Sequence, residues 1–191
     1  MQEKKLLENI KDGDTFDFKD IVDKYQEKVR NTCYRFVKNT DDADDVAQDV
    51  FIQVYESLAN FRAEAELSTW IYRIVVNKSL DFIRKQKRKK RFGQLTSLFG
   101  FNEEKEEIIL PAGGNPQMDL EDKERKQILD SAIDQLPENQ KTAITLSKYE
   151  GFSNNEIAKI MDLSLSAVEA LMHRAKKNLH KKLYNHFEKN K

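Results

Sequence analysis

Residues able to do chemistry gather in a few places along this 191-residue chain, and all of them suit binding better than bond-making. The segment from Glu150 to Lys182, EGFSNNEIAKIMDLSLSAVEALMHRAKKNLHKK, carries Val168, Leu171, Met172, Ala175 and Leu179 at helical spacing, continued by Leu183. The opposite side of such a helix holds Glu169, Ala170, His173, Arg174, Lys176 and Lys177. An apolar back with a polar, basic front is what a helix needs to enter a major groove; taken alone, it also describes a solvated charged helix. Arg174 can pair bidentately with guanine O6 and N7 or hold a phosphate, and Glu169 can accept from cytosine N4 or complete a capping box with Ser166. Further upstream, Arg73, Asn77 and Asp81 fall successively one helical turn apart, with Trp70 and Tyr72 nearby and Arg84 beyond. Aromatic walls and cations capture splayed bases of a single strand, although an aromatic at helical spacing is more often core, and Trp70 is read as core. The run Arg84 to Arg91, RKQKRKKR, is either a phosphate clamp whose grip weakens steeply with salt or the solvated end of a helix. Asp45, Gln48, Asp49 and Gln53 present acceptors to a basic partner; the acidic cluster from Asp41 to Asp45 also favours a helix N-terminus, by about 0.3–1 kcal/mol each.

The elements that must position these residues are helices. Ser153 with Glu156 three residues on is a capping box opening a short helix, the turn Met161-Asp162-Leu163 follows, and Ser164 or Ser166 caps the next helix. Leu136-Pro137-Glu138 starts a helix with Pro137 in its first turn, ending near Tyr149 before Gly151, a C′ residue free to take positive φ. In the N-terminal half, Ile21, Val22, Tyr25, Val29, Cys33, Phe36 and Val37 form one core stripe. Thr40 or Asp41 caps a second helix with a Val46, Val50, Val54, Leu58 stripe, running to about Asn60. Ser68 or Thr69 caps a third, running to Arg84 or beyond, with Trp70, Ile74, Val75 and Phe82 on its apolar side. From Phe92 to about Asp119, Gly93, Gly100, Pro111, Gly113, Gly114 and Pro116 argue against one continuous helix. Phe92, Leu95, Leu98, Phe99 and Phe101 there suit a short helical turn packed on either domain.

Composition narrows the class. Charged residues make up 35% and balance to a net charge of zero, so only their distribution informs: acid crowds Asp41 to Asp49 and Glu103 to Glu107, base crowds Arg84 to Arg91 and His173 to Lys182. Six Gly and three Pro leave little punctuation for an all-β fold. The single Cys33 forms no internal disulfide and suits a reducing compartment; no apolar run reaches a membrane span and Met1 to Lys19 lacks a signal-peptide core, so no direct membrane insertion and a cytoplasmic location are expected. There is no Gly-rich phosphate loop, no metal-ligand spacing and no Ser/His/Asp arrangement. His173, His180 and His186 give no i,i+4 pair, and one cysteine cannot build a zinc site, so neither enzymatic activity, nor a cofactor, nor a metal is expected.

The stretch LPENQKTAITLSKYEGFSNNEIAKIMDLSLSAVEALMHRAKKNL resembles region 4 of bacterial sigma factors, an outline shared with response-regulator DNA-binding domains. The ordered blocks GD…IVDKY, DDADDVAQDVFIQVYESLANF and FRAEAELSTWIYRIVVNKSLDFIRK resemble region 2 of extracytoplasmic-function (ECF) sigma factors of the sigma-70 family. The resemblance implies an all-α fold of two small helical domains: region 2 over 1–91, a flexible linker over 92–125, and region 4 over 126–191. It implies core RNA polymerase as partner, through its β′ clamp coiled coil on Asp45, Gln48, Asp49 and Gln53 and through its β flap. It further implies a −10 reader built from Arg62, Ala63, Glu64, Ser68, Trp70, Arg73, Asn77, Asp81 and Arg84, which pockets a flipped base. The implied −35 reader comprises Ser164, Ser166, Glu169, Ala170, His173, Arg174, Lys176 and Lys177. The commoner family pattern has Thr-Val-Lys where this chain has Ala167-Val168-Glu169. Control by an anti-sigma factor is implied as well, and so is a linker threading the polymerase cleft. A stand-alone helix-turn-helix regulator with an N-terminal interaction domain is the alternative; it predicts dimers on palindromic half-sites and leaves the N-terminal blocks unexplained.

Overall fold

The computed structural model describes residues 15–62, 65–96 and 118–189, all helix and short connections. The helices are α1 (Thr15–Val37), α2 (Thr40–Leu58), α3 (Leu67–Thr96), α4 (Met118–Asp134), α5 (Glu138–Lys148), α6 (Asn154–Met161) and α7 (Leu165–Lys189). They divide between two compact units, the chain up to Glu106 and the chain from Glu107.

In the first unit α1, α2 and α3 each pack on the other two. Strict four-residue spacing puts Ile21, Tyr25, Val29 and Cys33 on one stripe of α1, against Val46, Val50, Val54 and Leu58 of α2 and Leu67, Ile71 and Val75 of α3. Val22 and Val37, read as core, are only half-buried at its margin. Each fully buried Val or Ile here is worth about 1.5–3 kcal/mol relative to exposure. The α1–α2 reversal takes two residues. Lys38 adopts left-handed φ (62°) and its N–H returns to the Tyr34 carbonyl at 2.9 Å; Asn39 is extended and its Oδ1 accepts from the Asp42 N–H at 2.9 Å. The cap is therefore Asn39, not Thr40 or Asp41, because the tight reversal leaves Asn39 as the last extended residue. Across the α1–α2 interface Arg30 grips Asp44 with two guanidinium nitrogens, and from α3 the Gln86 amide reaches Asp42 of α2 at 3.4 Å.

Helix α3 starts earlier than its serine and threonine signalled. The Trp70 N–H bonds the Glu66 carbonyl at 3.1 Å, Leu67 is helical, and Thr69 is buried, so neither Ser68 nor Thr69 caps. Burial of Leu67 wins over capping propensity. The helix continues through Gly93 to Thr96, and α4 begins at Met118, so helix occupies both ends of the stretch read as linker. Residues 97–117, including Leu98, Phe99, Phe101 and Glu103 to Glu107, lie outside the described residues.

In the second unit α7 packs against α4, α5 and α6. Ile133, Leu136, Ile144 and Ala175 form a core flanked by Leu129, Tyr149, Met172 and Leu179, with Leu146, Ile157, Ile160 and Val168 also fully buried. Polar ties hold α7 in register: Asn178 to Gln140 at 2.8 Å and Lys182 to Gln135 at 3.0 Å. Pro137 is the N-cap of α5 (ψ 144°), one position before the expected first turn, and its carbonyl accepts the first helical bond from Lys141 at 2.9 Å. Gly151 takes φ +76°, as its type anticipates, while the Phe152 N–H closes on the Leu146 carbonyl at 3.1 Å.

Candidate nucleic-acid interface

The short helix α6 opens on the anticipated capping box. The Ser153 N–H donates to the Glu156 carboxylate at 2.8 Å and the Glu156 N–H to Ser153 Oγ at 3.4 Å. The Ser153 hydroxyl, which donates to the same carboxylate at 2.6 Å, and then the Ser153 N–H hold the Glu156 carboxyl below the usual carboxylate range, with a smaller contribution from Lys159. Asp162 ends α6 in left-handed conformation (φ 55°), which turns the chain sharply into α7. The cap of α7 is Ser164: its Oγ accepts from the Ala167 N–H at 3.2 Å and lies 3.1 Å from Ser166 Oγ. Glu169 therefore completes no capping box with Ser166, because the helix begins two residues before that arrangement would need.

Along α7, Val168 and Ala175 are fully buried, with Leu171, Met172, Leu179 and Leu183 half-buried beside them. The residues expected to face duplex DNA, Ser164, Ser166, Glu169, Ala170, His173, Arg174, Lys176 and Lys177, are all exposed. Arg174 is partly committed: its Nε donates to the Ala170 carbonyl at 3.1 Å, folding the guanidinium back along the helix. His180 and His186 are exposed too.

In the first unit, Arg73, Asn77, Asp81 and Arg84 form an exposed row along α3, opposite Ile71 and Val75 of the core. Asp81 and Arg84 face each other at 3.4 Å. Trp70 heads the same side but does two things. Half-buried, it packs on the core, and its ring lies 5.0 Å from that of buried Phe61 at 47°. Tyr72 is 2% exposed and belongs to the interior. Ser68 is half-buried and Arg62 exposed; Ala63 and Glu64 lie outside the described residues. Beyond the row, Lys85 and Lys87 to Arg91 are exposed around the whole circumference of α3.

The acidic face of α2 stands opposite Val46, Val50 and Val54. Asp45, Gln48 and Asp49 are exposed on it. Gln53 is half-buried on the flank, its backbone carbonyl accepts from Ser57 Oγ, and Ile52 and Glu56 occupy the outward position instead. Ile52 and Tyr55, each 57% exposed, were absent from the sequence-based site; their types signalled core, and only the helix phase set by the valines could have turned them outward. Asp44, one residue from Asp45, points elsewhere: the hydrogen bond from Arg30 holds its carboxyl below the usual range. Among the described residues no group of His, Cys, Asp and Glu could hold a metal ion, and no helix is long and apolar enough to cross a membrane.

These two helical units match known families separately. Residues 21–89 match Sigma-70 region 2 and residues 126–179 match Sigma-70, region 4. The chain is 32% identical over 189 residues to the RNA polymerase sigma-H factor of Pseudomonas aeruginosa, covering 95% of this chain and 94% of that one. It is 31% identical over 187 residues to the ECF RNA polymerase sigma factor SigW of Bacillus subtilis, covering 96% and 97%. The fold is similar to that of the sigma factor RpoE from Bartonella quintana, solved in complex with the anti-sigma factor NepR, at TM-score 0.65 and 24% identity over 88% of this chain and 97% of that one. Relatives that span nearly the whole chain account for both units and for their order, and the chain belongs to the ECF sigma factors, the promoter-specificity subunits of RNA polymerase.

Proposed function

We propose that the chain works as a two-point promoter reader, with residues 1–91 and 126–191 as separate modules that core RNA polymerase sets at promoter spacing. The single observation that carries this reading is the pairing, within one helical bundle, of an acidic outward face on α2 with a cation-bearing outward row on α3. Asp45, Gln48 and Asp49 dock on the basic clamp coiled coil of the polymerase β′ subunit, with Gln53 at the rim. Arg62, Ser68, Trp70, Arg73, Asn77, Asp81 and Arg84 receive the melted −10 strand, and Ala63 and Glu64 are assigned to the same reader. Trp70 supplies the wall against which an extruded base stacks, held in place by Phe61. The cationic end of α3 holds adjacent phosphates.

The second module reads the −35 duplex through Ser164, Ser166, Glu169, Ala170, His173, Arg174, Lys176 and Lys177, and contacts the β flap. With its cap supplied by Ser164, Glu169 is left to accept from a cytosine N4 in the groove. Each module alone binds weakly, and joining them on polymerase converts the second contact into an intramolecular one. The work is binding rather than catalysis, in the cytoplasm. The Bartonella quintana protein of this fold was solved with an anti-sigma factor; the same form of control is proposed here, by a partner that covers the polymerase- and DNA-facing surfaces.

Mixing the full chain with bacterial core polymerase tests the reading. Stoichiometric co-elution at physiological salt, with promoter-dependent transcription by the assembled enzyme, is the expected result. Sequence-specific DNA binding by the free chain as a dimer, without any association with polymerase, would overturn it.

A further inference from the structure

Two large apolar side chains flank the cap of the recognition helix in solvent: Leu163 is 36% and Leu165 40% exposed. The turn does not need them there, since it closes through left-handed Asp162, the Leu163 N–H on the Ala158 carbonyl, and the Ser164 hydroxyl. Leu165, at the first position of α7, forgoes the burial that stabilises Val168 and Ala175 on the same helix. The exposed residue next to it on the helix surface is Glu169, one turn on at i+4, and Ser166 and Ala170 stand exposed farther round the same polar side.

That face holds no cation in its first two turns. The first is Arg174, already turned back onto the Ala170 carbonyl. Guanine is typically read by a bidentate arginine or lysine, and nothing here presents one to the bases that the start of α7 would meet. What the face presents is an isobutyl group, a methyl group, a carboxylate and a hydroxyl. In the major groove the base-edge group that matches a leucine is the C5 methyl of thymine. We infer that Leu165 selects a thymine methyl in the upstream promoter element, as a specificity-determining contact that rests on the assignment of α7 to duplex recognition.

The test uses deoxyuridine, which differs from thymidine only by that methyl. Holoenzyme assembled from the full chain and bacterial core polymerase is offered a randomised pool of promoter-length duplexes. In the enriched upstream element, each thymidine is then replaced singly by deoxyuridine. One replacement is expected to weaken binding about fourfold, the equivalent of one buried methyl. With Leu165→Ala, the thymidine and deoxyuridine duplexes are expected to bind alike while assembly with polymerase is unchanged.

Indifference of the wild-type holoenzyme to every replacement would overturn the inference without recourse to any variant. So would a Leu165→Ala protein that keeps the discrimination, or one that loses polymerase assembly, which would make Leu165 a protein contact. Failure to enrich any upstream element would remove the duplex-recognition assignment itself, and the inference with it.

Discussion

Neighbouring aspartates on α2 should respond oppositely to charge reversal. Asp45 and Asp49 are exposed on the side of the helix away from Val46, Val50 and Val54. Both lie beyond the first turn that begins at Thr40, so replacing them forfeits little helix-dipole stabilisation. Lysine is also the better helix former by a few tenths of a kcal/mol, so Asp45→Lys with Asp49→Lys should leave stability within about 0.5 kcal/mol. Facing a basic clamp, the same pair sets like charge against like charge. A penalty of about 2–4 kcal/mol is expected, weakening polymerase affinity roughly 30- to 1,000-fold, and less at high salt.

Asp44 is the internal control. Its carboxylate is bound by Arg30 across the α1–α2 interface, so Asp44→Lys should lower the melting temperature of the first unit while sparing polymerase affinity in the folded chain. Because its folded-state pKa is depressed, that ion pair stabilises the fold above the usual carboxylate range and is lost as pH falls through the lower, folded value. Titration of labelled core polymerase, with melting followed by circular dichroism, measures both quantities. Wild-type affinity in the Asp45/Asp49 double variant, or an equal affinity loss in Asp44→Lys, would refute the placement of the docking face.

The other expectations concern single groups. Ser153→Ala removes the α6 cap and should cost about 1 kcal/mol in urea denaturation. Since Glu156 is held below its ordinary pKa, its share is present above that value and lost as pH falls through the lower, folded value, so the gap between wild type and variant should narrow as pH drops below the usual carboxylate range. Arg174→Ala should lose about 1–3 kcal/mol of affinity for the upstream element in equilibrium binding; an equal loss on all sequences would mark a phosphate contact instead. Burial pushes the Cys33 thiol up to about 12, so alkylation at about pH 8 should be negligible until urea unfolds the chain, and rapid native labelling would contradict its place in the core.

Much of the fold was legible because helical repeats leave a direct trace. The Ile21 to Cys33 and Val46 to Leu58 stripes, the Ser153–Glu156 box and the Gly151 turn each follow from chemistry local to a few residues. Caps were less legible where several polar residues stood together. Asn39, Thr40 and Asp41 compete on nearly equal terms, and the two-residue reversal after Lys38 decides among them. Helix α4 went unread between Met118 and Asp134, where few apolar residues mark its inner face and its packing on α5 and α7 selects it.

By itself the amino-acid order determined that this chain is helical, that it has two modules, and where acid, base and apolar stripes recur. Periodicity and capping are short-range, so they survive in one dimension. Only the tertiary structure decided which way individual side chains face. Trp70 is both core and surface, Gln53 sits on a flank, Asp44 is tied to Arg30 while Asp45 looks outward, and Leu165 stands in solvent. Those outcomes depend on which neighbours a helix meets and at what rotation, and that is settled by contacts between residues far apart in sequence.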